Sequence, residues 1–433
     1  MTATTVPDNN QTTPEPTPPW TNLLNTVNGL PSWASWSIYA AFGVLILTIV
    51  QGIAGTELLT AQGTTNAAVR WSIPILLAGL GGLFSERAGV VNIGLEGMMI
   101  LGTWCAAWGA LIWGPVGGVI AAVIGGALGG LLHAVATVSF GVDHIVSAVA
   151  INILAPGLTR FLSERVLTSR GGSISQSPRV GDFPEISVPL LSDGLIAIAD
   201  LNIAWLSDIA GILAGIVSEI SLFTVAALTL VPLTAWVINK TRFGLRLRIC
   251  GENPTAGDSL GVKVISHKYA GVVISGALAG LAGAFIVLEL TQIYRGGQTV
   301  GRGFIGLAAL IFGNWKARGI LVGAIVFSYP FALSLVDFNA EGSGEATRGL
   351  LLVVAIALAA VAVWAWSARK KVDTALAAGI AVVALIWFLT TETAPSWLPN
   401  TMPYALVLIV LFFASQRLRM PKMAGIPWRK GDH

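Results

Sequence analysis

"SERAGVVNIGLEGMM" occupies residues 85–99, inside a long apolar stretch, and it sets Glu86, Arg87, Asn92 and Glu96 among three glycines. A charged side chain at the centre of a bilayer costs from ~2.5 to more than ~10 kcal/mol. Such groups persist where they face a bundle interior or a water-filled path. Non-helical backbone at membrane depth obeys the same rule, because lipid offers free N–H and C=O groups no partner. Gly89, Gly94 and Gly97 allow the chain to unwind or pack closely there. Two readings follow. The stretch lines a polar pathway, or residues 85–94 are a cytoplasmic loop in which Glu86 and Arg87 cost nothing. Glu96 opens the next apolar run and fits the pathway better.

Outward from this segment, the chain has 433 residues, 54% of them hydrophobic and 11% charged, with mean hydropathy +0.76. Soluble domains carry roughly 25% charged residues, so this chain lacks the polar surface to clothe a water-soluble particle. Runs at 38–53, 222–238 and 350–366 approach or reach the ~17–25 residues that cross a hydrocarbon core. The expected class is an all-α polytopic membrane bundle of about 10–12 transmembrane helices, with an internal inverted repeat of broken helices.

Candidate spans lie at 36–53, 71–84, 95–113, 116–138, 144–159, 220–238, 269–290, 304–312, 320–336, 350–366, 374–389 and 404–413. The segments 71–84 and 304–312 are too short for a full crossing, a sign of interrupted helices around a transport site. "GGQTVGRGFIGLAALIFGNW" (296–315) repeats the device of "VVNIGLEGMMILGTW" (90–104): a Gly-rich polar entry, then a short apolar run. Asn152 lies within an apolar span, and Glu289 and Gln292 close another. Asn152 and Gln292 join the pathway candidates. Glu289 reads equally as a membrane-edge acid.

Lys and Arg set orientation. Lys240, Arg242, Arg246, Arg248, Lys263 and Lys268 share one loop, Lys316 and Arg318 a second, and Arg369, Lys370 and Lys371 a third. Arg417, Arg419, Lys422, Arg429 and Lys430 end the chain. Counting spans puts all four clusters on one side, hence cytoplasmic. Residues 160–219 then fall outside, more simply as an ordered loop than as an added pair of spans. Residues 1–35 read as a disordered cytoplasmic tail without a secretory signal. A core follows over 36–348, C-terminal spans with an apparent insertion over 349–416, and a basic tail over 417–433.

The loop 239–268 contains "TRFGLRLRICGENPTAGDSLGV" (241–262). Asn253 is a good N-cap, Pro254 suits the first helical position and Gly261 is a stop. A short helix over 254–260 is expected, with Ala256 and Leu260 on one small apolar face. A loop that only joins two spans needs no capped helix, whereas a docking surface does. A helix resting on anionic headgroups is the other reading.

Several classes are excluded. Cys105 and Cys250 imply no disulfide framework, and the four histidines form no spaced ligand pair, so neither metal nor cofactor is expected. No Gly-Lys step exists for a phosphate-binding loop, and "RGGQ" at 295–298 lies between apolar spans. With no nucleophile–His pair either, the chain is not expected to be an enzyme or to hydrolyse ATP itself. The net charge, +3, is small, and no nucleic-acid partner is expected.

"SERAGVVNIGLEGMM", "TRFGLRLRICGENPTAGDSLGV" and "GRGFIGLAALIFGNW", in that order, resemble permease subunits of bacterial ABC importers in the branched-chain amino acid, ribose and nucleoside permease superfamily. The likeness is nearest to the second permease of nucleoside and simple-sugar uptake systems. The C-terminal "MPYALVLIVLFFASQRLRMPKMAGIPWRKG" resembles that subfamily's last span and basic tail. The resemblance implies a multi-pass protein of the bacterial plasma membrane that pairs with a similar permease. Two ATP-binding subunits would sit beneath it, and an extracytoplasmic solute-binding protein would deliver a nucleoside or a simple sugar. It also implies that Gly251, Glu252, Asn253, Pro254, Ala256, Gly257, Asp258, Leu260 and Gly261 form a coupling helix gripped by the ATPase. A stand-alone secondary transporter or channel is the competing class.

Overall fold

The computed structural model describes residues 26, 29–181, 183–186, 189–201, 203–339, 344–367, 371–395, 397–414 and 418–429. The tail expected over 1–35 falls largely outside these residues, as do Arg369, Lys370, Arg417 and Lys430. Among the described residues nine helices are long and apolar enough to cross a membrane. The remaining secondary structure of the described residues is almost wholly helical; the one sheet among them pairs two two-residue strands, β1 (Glu185–Ile186) and β2 (Ile220–Ser221).

The first helix, α1 (Ser32–Ala54), leads to α2 (Gln62–Arg87). The expected short segment at 71–84 is corrected here: α2 has 26 residues, because its polar first turns are also helical. The break comes after Arg87. Next, α3 (Leu95–Ala134) doubles back at Gly114, whose φ of 75° and ψ of −178° are followed by Pro115. Its arms lie side by side, with Gly118 against Ala106 and Gly125 against Cys105. The two spans expected over 95–113 and 116–138 are thus both present.

α4 (His144–Leu162) follows, with Asp143 accepting the Ile145 and Val146 N–H groups as its N-cap. Two short helices, α5 (Pro189–Ala199) and α6 (Ala204–Val217), then pack on one another. At 11 and 14 residues neither is long enough to cross, so this part of the ordered 160–219 segment is a helical hairpin and not an added pair of spans. Asp208 fastens α6 to α1, accepting from Thr48 Oγ1 at 2.5 Å and Gln51 Nε2 at 2.9 Å.

The second half begins with α7 (Leu222–Lys240), followed by the basic helices α8 (Arg242–Glu252) and α9 (Pro254–Ser259). α10 (Val264–Phe285) is prolonged by a wide turn over Ile286–Thr291. α11 (Arg302–Phe312) is only 11 residues long, as its composition suggests. α12 (Ala317–Asn339), α13 (Glu345–Ser367), α14 (Lys371–Thr390) and α15 (Leu398–Ala414) complete the chain. α13 and α14 pack mainly on each other, and α14 leaves most of its apolar side chains exposed.

The core is a seam of α10 against both arms of α3. In lipid, helices associate through close packing rather than hydrophobic drive, so small residues collect where backbones touch. Gly276 and Gly280 of α10 lie against the backbone of Gly126 and Gly130, and Gly283 against Met99 and Gly102. A Cβ at Gly280 would collide with the Ala122 carbonyl. The Gly280→Val substitution should therefore cost about 1–3 kcal/mol or more by overpacking, read as a lower melting temperature and lost monodispersity of detergent-purified protein. An unchanged melting curve would contradict this packing.

Candidate functional site

Two interrupted helices meet inside the bundle. After Arg87 the chain runs non-helically through residues 88–94 and starts α3 at Leu95. After Thr291 it runs non-helically again and starts α11 at Arg302. α2 and α10 are antiparallel, with Phe84 beside Gly271 and Gly81 beside Ser275. The two units therefore run in opposite directions, and both place a helix N-terminus within the bundle.

Those N-termini touch, since a Cβ at Gly303 would strike the Glu96 backbone. Helix N-termini present unpaired N–H groups and partial positive charge, so two placed head to head repel unless an anion lies between them. Glu96, 7% exposed, is that anion. Its Oε1 accepts from Gly301 N at 2.9 Å and Thr299 Oγ1 at 2.6 Å, and its Oε2 accepts from Gly303 N at 2.7 Å. A glycine is required at 303 for this approach, and Gly301 takes φ +72° to turn into the helix.

The free backbone of residues 88–94 has its own partners. Ser85 Oγ donates to Val90 O at 2.6 Å. Val91 N–H donates to His144 Nδ1 at 3.3 Å, and Val91 O accepts from His133 Nε2 at 3.0 Å. A carbonyl can only accept, so His133 carries its proton on Nε2 and takes Ser147 Oγ–H at Nδ1, 2.9 Å away. Asn152 Nδ2 donates to Ile93 O at 3.1 Å, while its Oδ1 accepts from Gly97 N at 2.7 Å, the first turn of α3. Asn92 is fully buried; its Nδ2 donates to Ser275 Oγ at 2.9 Å, and its Oδ1 has no hydrogen-bond partner among the described residues.

Glu86 and Arg87 lie elsewhere, at the end of α2 beside the basic helices. Trp315 Nε1 donates to Glu86 Oε2 at 2.5 Å, and Arg87 Nη2 donates to Trp315 O at 2.9 Å. Arg87 Nη1 also stands 4.0 Å from Glu252 Oε1, at the end of α8. Gly251 abuts the Arg87 carbonyl so closely that a Cβ would collide with it. The break after α2, the turn after α11 and the end of α8 therefore form one joint.

At the opposite end Glu289 pairs with Arg70, Oε1 to Nη2 at 3.3 Å, tying α10 to α2. Gln292 takes a left-handed backbone at φ 55° and accepts from Arg179. Both stand apart from the Glu96 cluster. Arg302 places its guanidinium carbon 4.7 Å from the Trp71 ring centroid and 5.2 Å from that of Phe331, with Nη1 donating to the Gln298 and Thr299 carbonyls.

The expected short helix is present as α9. Asn253 Oδ1 accepts from Ala256 N at 3.0 Å, Pro254 is its first residue, and Gly261 takes φ +78° beyond its end. Pro254 and Gly257 are buried, while Leu260 is 77% exposed. Gly251 is buried beneath it, and Glu252, Asn253 and Ala256 face outward.

His133, His144, Ser147, Thr299, Gly303 and Trp315 belong to these sites without having been singled out from sequence. A lone histidine in an apolar span was the available signal for two of them. The others depend on which chain segments meet.

Residues 64–359 match the protein family described as branched-chain amino acid transport system / permease component. Among curated proteins the chain is 35% identical over 296 residues to the nucleoside ABC transporter permease protein NupC of Lactococcus lactis subsp. cremoris, covering 65% of this chain and 84% of that one. It is 36% identical over 278 residues to the guanosine ABC transporter permease protein NupQ of Bacillus subtilis, covering 62% and 81%. A putative glucose ABC transporter permease protein of Haloferax volcanii is 32% identical over 279 residues, covering 64% and 78%. No solved structure matches the chain.

The Glu96→Gln substitution tests the head-to-head arrangement. Glutamine offers one acceptor oxygen where three donors converge, so a buried N–H loses its partner at a cost of about 1–3 kcal/mol. The expected outcome is a protein that still inserts but unfolds at lower temperature and is cut more readily by protease within residues 292–303. Wild-type melting and protection would refute the capping role.

Proposed function

The chain belongs to the branched-chain amino acid transport system permease family, and from that premise we propose that it is the membrane-spanning subunit of an ABC importer for nucleosides. The solute is taken from the two relatives named for nucleoside and guanosine transport; simple sugars stand next, from the glucose relative. The observation that carries a transport role is the pair of helix N-termini meeting inside the bundle at Glu96, because interrupted helices inside a membrane protein are tolerated only where protein or a polar cavity surrounds them.

The path for solute runs beside this meeting point. Asn92 is its strongest contact residue, since a buried, unpaired amide oxygen is ready to accept from a hydroxyl or ring N–H. Glu96 and Asn152 hold the path's shape, Glu86 and Arg87 form its inner end, and Glu289 and Gln292 its outer end. A neutral polar solute needs such single hydrogen-bonding groups rather than an array of fixed charges.

The basic end of the bundle is cytoplasmic by the positive-inside rule. Gly251, Glu252, Asn253, Pro254, Ala256, Gly257, Asp258, Leu260 and Gly261 make the coupling helix and its flanks, which separate ATP-binding subunits grip. The joint of Gly251, Arg87 and Trp315 passes their movement to both interrupted helices, giving alternating access. A second permease of similar fold completes the channel, and an extracytoplasmic binding protein delivers the solute. The chain itself catalyses no reaction.

Co-expression with ATP-binding subunits, a second permease and a binding protein should give ATP-dependent nucleoside uptake into proteoliposomes. The Leu260→Asp substitution places a charge at the exposed apolar residue that ends α9 without touching the core. It should cut uptake by at least about tenfold, equivalent to ~1.4 kcal/mol of lost docking, while the protein still inserts in full. Undiminished uptake by this variant would remove α9 from the coupling role, and uptake by the single chain without ATP would remove the importer reading.

A further inference from the structure

The C-terminal segment makes contacts that the coupling scheme above leaves unused. Residues 418–429 cross the basic end without forming a helix. Arg419 N–H donates to Asn314 Oδ1 at 2.8 Å, in the turn between α11 and α12. Met423 N–H donates to Gly251 O at 2.8 Å. Gly425 passes beside Val91, the residue whose backbone the two histidines hold, and the Arg429 guanidinium lies against Gly141 in the turn before α4. Trp428, 7% exposed, packs its ring on Cys250, Val262 and Val264. Its Nε1–H donates to Thr255 Oγ1 at 3.2 Å, within α9 itself. Burial pushes the Cys250 thiol up to about 11, so it stays protonated and meets the indole as an apolar neighbour.

A basic, aromatic tail that served only to touch lipid would turn its tryptophan toward the headgroups. Here the ring faces inward and its one polar atom is spent on α9. The geometry also supplies a mechanical reason. α9 has six residues, buries only Pro254 and Gly257, and is flanked by Asn253 in a non-helical conformation and by Gly261 at positive φ. A helix so short, pushed from below, would pivot about those flanks instead of moving α2.

We infer that residues 419–429 are a strap that holds α9 in register with the joint at the basic end, Met423 gripping Gly251 and Arg419 gripping Asn314, and that Trp428 is a positioning residue for energy coupling, acting through Thr255. The inference rests on the reading of α9 as the contact for the ATP-binding subunits.

The test uses the full-length chain assembled with its ATP-binding subunits, second permease and binding protein in proteoliposomes, with nucleoside uptake and ATP hydrolysis measured together. Trp428→Phe keeps the ring and loses the donor, Thr255→Val loses the acceptor, and Trp428→Ala loses both ring and donor. Nucleoside moved per ATP hydrolysed should fall about threefold in Trp428→Phe and in Thr255→Val, and about tenfold in Trp428→Ala, while hydrolysis continues. The double variant Trp428→Phe with Thr255→Val should be no worse than either single one, because both remove the same bond. A purely structural role would lower the amount of assembled protein but leave the uptake-to-ATP ratio intact. An intact ratio in Trp428→Ala, or additive losses in the double variant, overturns the strap. If Trp428→Ala fails to accumulate, the cycle of Trp428→Phe and Thr255→Val decides alone. A wild-type assembly that shows no ATP-driven uptake would sink the importer reading; a working wild type with an indifferent cycle removes only the strap.

Discussion

A single carboxylate between two helix N-termini is the constraint on which this architecture depends. Each N-terminus brings unpaired N–H groups and partial positive charge into a medium that offers neither water nor counter-ion. Glu96 answers one of them with three accepted hydrogen bonds and starts the other with its own backbone. Asn152 accepts from a further first-turn donor, the Gly97 N–H. With those groups satisfied, two interrupted helices can end inside the bundle, and the inverted pairing of α2 with α10 follows from where they end. The rest of the chain encloses this centre, with α4 supplying His144 and Asn152, the second arm of α3 supplying His133, and α12 supplying Phe331 to sandwich Arg302.

Much of this was legible in the residues. The short apolar run before "GNW" reads as a half-helix and is one; the Asn-Pro start and Gly stop of α9 are local chemistry that tertiary structure leaves alone. Glu96 stood out because a carboxylate opening an apolar run has no cheap explanation. Other features were hidden for a physical reason. The polar first turns of α2 look like loop, yet Asn66 finds Gly215 and Ser218, and Thr60 just ahead of the helix finds Asp208, partners that sit some 150 residues away in sequence. Helix there is set by neighbours that no local pattern reveals. Trp315 joins the site only through Glu86, 229 residues earlier, whose carboxylate takes its indole N–H.

The two ends of the bundle are built differently. At the end away from the basic loops, α2 and α10 are joined by the Arg70–Glu289 pair, α6 is fastened to α1 through Asp208, and the β1–β2 pairing closes the entry to α7. At the basic end the links run through backbone carbonyls and single side chains: Arg87 to Trp315, Met423 to Gly251, Trp428 to Thr255. Most of these bonds span different chain segments, so each can rearrange without unwinding a helix.

The glycine seam of α10 against α3 limits which parts can rearrange at all. A contact made of side chains can repack by switching rotamers, and many sliding interfaces work that way. A contact of backbone on backbone has no rotamers to switch and no second set of grooves at the same distance. α10 and both arms of α3 must then travel as one solid block, and any shape change of the molecule is left to hinge at its margins, where glycine and asparagine already bend the chain.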